Sequence, residues 1–112
     1  MSVTAACLIE AKHAASSSAT EYTSAASTRT IVDKFTATNT DSSDRTISVW
    51  IVPSGGTEGD SSLIIKTKNV VAGTTVDLTD LQNQILEAGD FIRVVASVAS
   101  KVTIRASGRK VT

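Results

Sequence analysis

In the segment Arg45 to Val52, Ile47, Val49 and Ile51 alternate with Ser48, Trp50 and Val52, and the same two-residue period returns in several other short runs. Such a period belongs to a pleated strand, whose successive side chains leave opposite faces. In Thr30–Thr38, Ile31, Phe35 and Ala37 fall on one face, interrupted by Asp33, with Lys34, Thr36 and Thr38 on the other. In Ser62–Lys68, Leu63 and Ile65 read as inward and Lys66 and Lys68 as outward. Phe91–Ala96 is a strongly apolar strand, and Lys101–Val111 sets Val102, Ile104 and Ala106 against Thr103, Arg105 and Ser107. A chain written this way must bury one face of each strand against a second sheet.

The breaks between runs carry turn chemistry. Asn39-Thr40-Asp41-Ser42-Ser43-Asp44 is rich in side chains that bond local backbone, so the runs on either side of it read as a hairpin. Pro53 to Asp60 holds a proline and three glycines and is a loop. Ala72-Gly73 marks a further turn. Thr79-Asp80-Leu81-Gln82 has capping-box spacing, and Leu81, Ile85 and Leu86 suggest a small apolar stripe, so one short helix is expected near residues 79–87. Residues 1–27 read as an N-terminal strand or arm, followed by an Ala/Ser/Thr-rich segment from Ala14 to Ser27 that is too polar for a helix. In the first part Leu8 and Glu10 would share one face, Cys7 and Ile9 the other. Residues 28–112 make the sandwich proper. The expectation is a single domain of seven or eight short strands. It is all-β, an antiparallel two-sheet sandwich of jelly-roll or Ig-like type.

Composition supports strands and bounds function. Only 4% of the 112 residues are aromatic, and the apolar 41% is mostly Val, Ile, Leu and Ala. β-Branched residues suit a pleated, half-buried surface. Lys+Arg and Asp+Glu both number 11, giving zero formal charge. A nucleic-acid binder normally carries a basic excess, so no direct nucleic-acid partner is expected. No polybasic block points to an anionic membrane, and no apolar run approaches the ~20 residues of a span. Met1-Ser2-Val3-Thr4 lacks the basic start and apolar run of a signal peptide, so synthesis in a cytoplasm is expected.

The chemistry-bearing residue types are sparse. Cys7 is the sole cysteine and reads as a small buried hydrophobe; His13 is the sole histidine and reads as a surface or edge-strand residue. Nucleophile-histidine arrangements would all have to use His13, and no Gly-x-Ser-x-Gly elbow occurs. One Cys and one His do not make a structural zinc site. The acidic pairs Asp41/Asp44 and Glu58/Asp60 lack the calcium-loop pattern and read as solvated turns. Gly55-Gly56-Thr57-Glu58-Gly59-Asp60 lacks the Gly-Lys-Ser/Thr ending of a phosphate loop and carries two carboxylates. Paired carboxylates for glycoside hydrolysis want an aromatic-lined cleft, and the chain has only Phe35, Phe91, Tyr22 and Trp50. No enzyme, cofactor or metal is expected.

Interaction is the remaining role. If the Ile47/Val49/Ile51 face is the core, Trp50 points outward, where a large aromatic can anchor an interface; the alternatives are an inverted assignment, or a loop or the N-terminal arm covering it. Tyr22, Arg105 and Arg109 complete the candidate contacts; with Lys110 the arginines read by default as a solvated strand edge, and alternatively as ion-pairing groups toward an acidic neighbour.

Four phrases carry a family resemblance: Thr28-Arg29-Thr30-Ile31-Val32-Asp33-Lys34-Phe35-Thr36-Ala37-Thr38-Asn39, Val49-Trp50-Ile51-Val52-Pro53-Ser54-Gly55-Gly56, Leu86-Glu87-Ala88-Gly89-Asp90 and Ile104-Arg105-Ala106-Ser107-Gly108. The chain here resembles small virion proteins of tailed phages, most of all the head cement, staple or decoration proteins of short-tailed phages. The likeness spans residues 28–108. It implies a sandwich or jelly roll on the outer capsid face, a dimer or trimer that clamps adjacent capsomers. The partners it implies are the major capsid protein and copies of the chain itself. Rival readings are a tail-associated or head-tail joining protein, and a receptor- or glycan-binding module that would use Trp50 and the loop from Pro53 to Asp60.

Overall fold

A computed structural model describes residues 1–112. Its strands are β1 (Val3–His13), β2 (Ala19–Thr23), β3 (Arg29–Asn39), β4 (Arg45–Val52), β5 (Leu63–Val70), β6 (Thr75–Asp77), β7 (Ile85–Leu86), β8 (Phe91–Ala96) and β9 (Val102–Val111). They form two antiparallel sheets. One runs β1-β9-β3-β6, with β7 also paired to β3; the other runs β2-β8-β4-β5. Segments β6 and β7 lie along different stretches of β3, at Thr36–Thr38 and Thr30–Ile31, so together they are one interrupted strand. Counted so, the fold has eight strands, and only the β4–β5 connection stays within a sheet. Every other link crosses the sandwich, which is the winding of a jelly roll rather than of an Ig domain. No helix is long and apolar enough to cross a membrane.

The inward faces supply an almost wholly aliphatic core, with Phe35 its one fully buried aromatic. From the first sheet come Val32, Phe35, Ala37, Ile104 and Ala106; from the second come Ile47, Val49, Ile92 and Val94. No buried side-chain nitrogen or oxygen is left without a partner. Asn39 illustrates how this is met at a crossing between sheets. Its amide nitrogen donates to Ser43 O at 2.8 Å and Val70 O at 2.9 Å, and its Oδ1 accepts from the Asp41 amide at 2.9 Å. The adjoining Thr40 amide donates to Lys101 O.

Several expectations need correcting. The runs flanking Asn39 to Asp44 are not a hairpin: β3 and β4 belong to different sheets, because the Asn39 bonds and the Thr40 bond turn the chain across the sandwich. No helix forms over residues 79–87; a single 3₁₀ turn spans Thr79–Leu81, without a side-chain cap. The backbone there is claimed by β3 instead. Leu78 and Asn83 donate to Phe35 O and Val32 O, and Val32 donates to Gln84 O. Leu81 and Leu86 are fully buried while Ile85 is about half exposed, at 51%. A helical stripe would have put Leu81 and Ile85 together.

Bulges account for the remaining face errors. In β3 the register slips between Val32 and Lys34, so Thr30 and Val32 face inward before the slip and Phe35, Ala37 and Asn39 after it. Ile31 is therefore outward, as is Asp33. In β1 a slip between Cys7 and Ile9 buries Leu8 and Ile9 side by side and leaves Cys7 exposed rather than buried. In β5 the slip between Leu63 and Ile65 sets Leu63 opposite Trp50 on the outer face, and Ile64 and Ile65 turn to the core instead. Residues 1–27 provide the outer strand of each sheet, β1 and β2.

Two substitutions test this packing. A Cβ on Gly108 would lie 2.1 Å from the backbone oxygen of Ile31. Gly108→Ala is therefore expected to destabilise the fold by about 3 kcal/mol or more, read from urea unfolding. Asn39→Ala, which strands the buried Val70 carbonyl, should cost about 2–3 kcal/mol in the same measurement.

Candidate interaction surface

On β8 the inward residues Ile92, Val94 and Ala96 alternate with Phe91, Arg93 and Val95, which leave the sandwich. Across β4 these meet Val52, Trp50 and Ser48. Thr20 of β2 opposes Arg93, and Leu63 of β5 opposes Trp50. A row Thr20–Arg93–Trp50–Leu63 thus crosses all four strands of the second sheet. Trp50 sits half-buried in it, between its cross-strand partners Arg93 and Leu63.

The loop after β4 folds back over this face. Gly55 takes a left-handed φ of +78°, and Gly56 N–H donates to Pro53 O at 2.9 Å, closing a tight turn. Val52 points outward yet is fully buried, because the turn covers it. Arg93 holds the far end of the loop: its Nε donates to Glu58, its Nη1 to Thr20 Oγ1 at 2.8 Å, and its Nη2 to Ser18 O at 2.9 Å. One guanidinium ties β8 to the loop, to β2 and to the segment before β2, using the fork of donors that a lysine lacks. Beside it lies an open cleft of about 290 Å³ lined by Ser18, Gly56, Thr57, Glu58, Phe91 and Arg93. Desolvation pushes the Glu58 carboxyl upward, but the Ser18 hydrogen bond and the Arg93 cation together hold it below its ordinary value of 4.5. With its carboxylate held ionised and paired to Arg93, the cleft offers hydroxyls and a compensated charge.

The other sheet has a polar outer face. The β3 bulge sets Asp33 outward, where Arg109 takes it in a fork, Nη2 and Nε reaching Oδ1 at 2.8 and 3.0 Å. That carboxylate raises the Arg109 pKa still further above the usual guanidinium value, through its hydrogen bond first and its charge second. Arg105, opposite Thr36, is exposed and takes part in none of the six ion pairs. The Thr38 and Thr75 hydroxyls meet at 2.8 Å, and Lys34 stands 3.9 Å from Asp77.

The four residues singled out from the sequence do not make one surface. Trp50 faces out from one sheet, Arg105 and Arg109 from the other. Tyr22 packs against the core, its hydroxyl 2.9 Å from the buried Thr30 Oγ1, which also meets Ser24 Oγ. Arg93 was missed, although a lone charge inside the apolar run Phe91–Ala96 is the signal that could have found it. No three His, Cys, Asp or Glu side chains converge in the manner of a metal site.

Because Glu58 ionises more readily when folded than when unfolded, its contribution to stability is present above pH about 4.5 and is lost as the pH falls through the lowered folded value. Urea midpoints between pH 7 and 3 should therefore fall less steeply in Glu58→Gln than in the parent chain.

No protein-family model matches the sequence, and no curated protein matches it. Similarity appears among solved structures. A Bacillus endospore appendage subunit, from a family described as disulfide-linked pili, superposes with a TM-score of 0.58 at 13% identity, over 98% of this chain and 88% of that one. A mutant VP2 protein of infectious bursal disease virus gives 0.54 at 10% identity, over 97% of this chain and 31% of that one. The Gx strain of the same virus gives 0.51 at 12% identity, again with the chain spanning 31% of its counterpart. At such identities the likeness is one of fold: this chain is a jelly-roll sandwich of a shape that a pilus subunit and part of a viral capsid protein also adopt.

Proposed function

We propose that the chain is a bacteriophage virion structural protein, a decoration or cement protein that packs on the outer face of the head and stabilises it by protein–protein contacts, without turnover. The observation that carries this reading is the outward row through Trp50. A tryptophan flanked by Arg93 and Leu63, on a four-stranded face braced by the Arg93 ion pair, is a rigid amphipathic anchor of the kind that concentrates binding energy. The polar face around Arg105 and Arg109 lies on the opposite sheet and suits solvent or an acidic neighbour. The phage resemblance of residues 28–108 and the fold shared with a viral capsid protein support the same role. Many weak copies of one contact, repeated over a shell, supply the stabilisation. The major capsid protein is the proposed partner, and synthesis takes place in the host cytoplasm.

Cryo-electron microscopy of the parent particle tests the proposal. Density for this fold on the outer shell, with Trp50 turned toward the capsid, is the expected result; its absence there removes the head assignment and leaves a tail or joining position. Trp50→Ala should weaken affinity for the particle at least tenfold for a contact worth about 2 kcal/mol, with the melting temperature held to within a few degrees. A second reading, a glycan-binding module, draws on the cleft beside Phe91 and Arg93. Specific binding of the isolated protein on a glycan array would favour it over the shell contact.

A further inference from the structure

The sandwich has four free strand edges, and three are guarded. β5 presents Lys66 and Lys68 around Thr67, whose φ is +43°. β2 is five residues long, slips in register between Thr20 and Tyr22, and has Glu21 engaged with Lys12 at 2.6 Å. β6 and β7 are only three and two residues long. Lysines, bulges and brevity are the devices that keep an edge from pairing with another chain. The second half of β1 has them too, in its two register slips and in Glu10, Lys12 and His13.

Val3 to Cys7 has none. Over these five residues β1 runs in unbroken register with β9, Val3 opposite Val111 through to Cys7 opposite Ser107. Ser2 and Thr112 exchange both backbone hydrogen bonds, at 3.0 and 2.9 Å. By antiparallel alternation the inward-bonded residues of β1 are then Thr4 and Ala6, while Val3, Ala5 and Cys7 turn their N–H and C=O groups to the open edge. The side chains in this window are small and uncharged, and all but the half-buried Ala6 are exposed.

We infer that this edge pairs with the same edge of a second copy, antiparallel about a two-fold axis through Ala5. The inference rests on the assembly role proposed above and names its contact. In that register Ala5 faces Ala5 of the other copy and Val3 faces Cys7, so the outward donors and acceptors of one copy meet those of the other in full. The arrangement is self-complementary, as a two-fold interface must be. Charge also favours a second copy as occupant. No ionised side chain lies in the paired window, and the zero net charge of the chain removes long-range repulsion between copies. Pairing joins the two first sheets into one continuous eight-stranded sheet and leaves both Trp50 faces free for a shell. Five paired residues bury much less than the ~1,200–2,000 Å² of a stable interface, so the contact is weak alone and acts where copies are concentrated.

Sedimentation equilibrium on the purified, reduced protein up to about millimolar concentration decides this. A reversible dimer is expected. Ala5→Pro removes an outward N–H without breaking a β1–β9 bond and should abolish the dimer. Ala5→Lys and Ala5→Glu place like charges opposite each other, and each alone should weaken association several-fold. Their equimolar mixture should restore it. A chain monomeric throughout, or a dimer indifferent to these substitutions, overturns the edge pairing. A mixture that fails to recover overturns the two-fold through Ala5. If electron microscopy places the chain on the shell while it sediments as a monomer, the decoration role stands and this contact alone is lost.

Discussion

Of the glycines, Gly108 has the least room for a side chain: a methyl group there would stand 2.1 Å from the carbonyl oxygen of Ile31. This contact joins the two central strands of the first sheet, β3 and β9, immediately before the slip between Val32 and Lys34. The slip itself shapes much else. The slip resets the phase of β3, so that Val32 and Phe35, three positions apart, both reach the core. It also pushes Asp33 outward, within reach of Arg109. With β3 phased in this way, its backbone is free to bind the segment from Leu78 to Gln84, which is why that segment cannot coil into a helix.

The fold class was legible in the chain because burial between two sheets imposes a two-residue period, and β4, β8 and β9 keep it nearly unbroken. What escaped was everything set by distant partners. Neighbouring runs with a polar turn between them looked like a hairpin, yet Asn39 spends its side chain on Val70 and Ser43 and the chain crosses to the other sheet. Thr79 to Gln82 had the spacing of a helix start, but the local preference was outbid by hydrogen bonds to β3. A bulge leaves no mark in composition; it shows only as a failed alternation, such as the one at Asp33 that was read as an interruption.

The candidate surface was half legible. The alternation left Trp50 outward only if Ile47, Val49 and Ile51 form the core, with an inverted strand or a covering loop equally open; in the structure it lies half-buried on the outer face. Tyr22 could not be placed, since its hydroxyl is held by Thr30, a buried residue of β3 in the other sheet. Arg93 was invisible as a brace because its partners Glu58, Thr20 and Ser18 lie 35 to 75 positions away in sequence. The two outer faces now have distinct characters: one carries an indole beside a braced loop, the other a lattice of hydroxyls and forked charge.

The mutual hydrogen bonds of Ser2 and Thr112 have a mechanical corollary. A pull between these two residues opens the seam of β1 and β9 from its end, one rung after another, like a zip. Load carried that way meets each bond singly. Force entering instead through opposite poles of the sandwich would strain the whole ladder at once, so a jelly roll of this winding resists stretching in a strongly direction-dependent way.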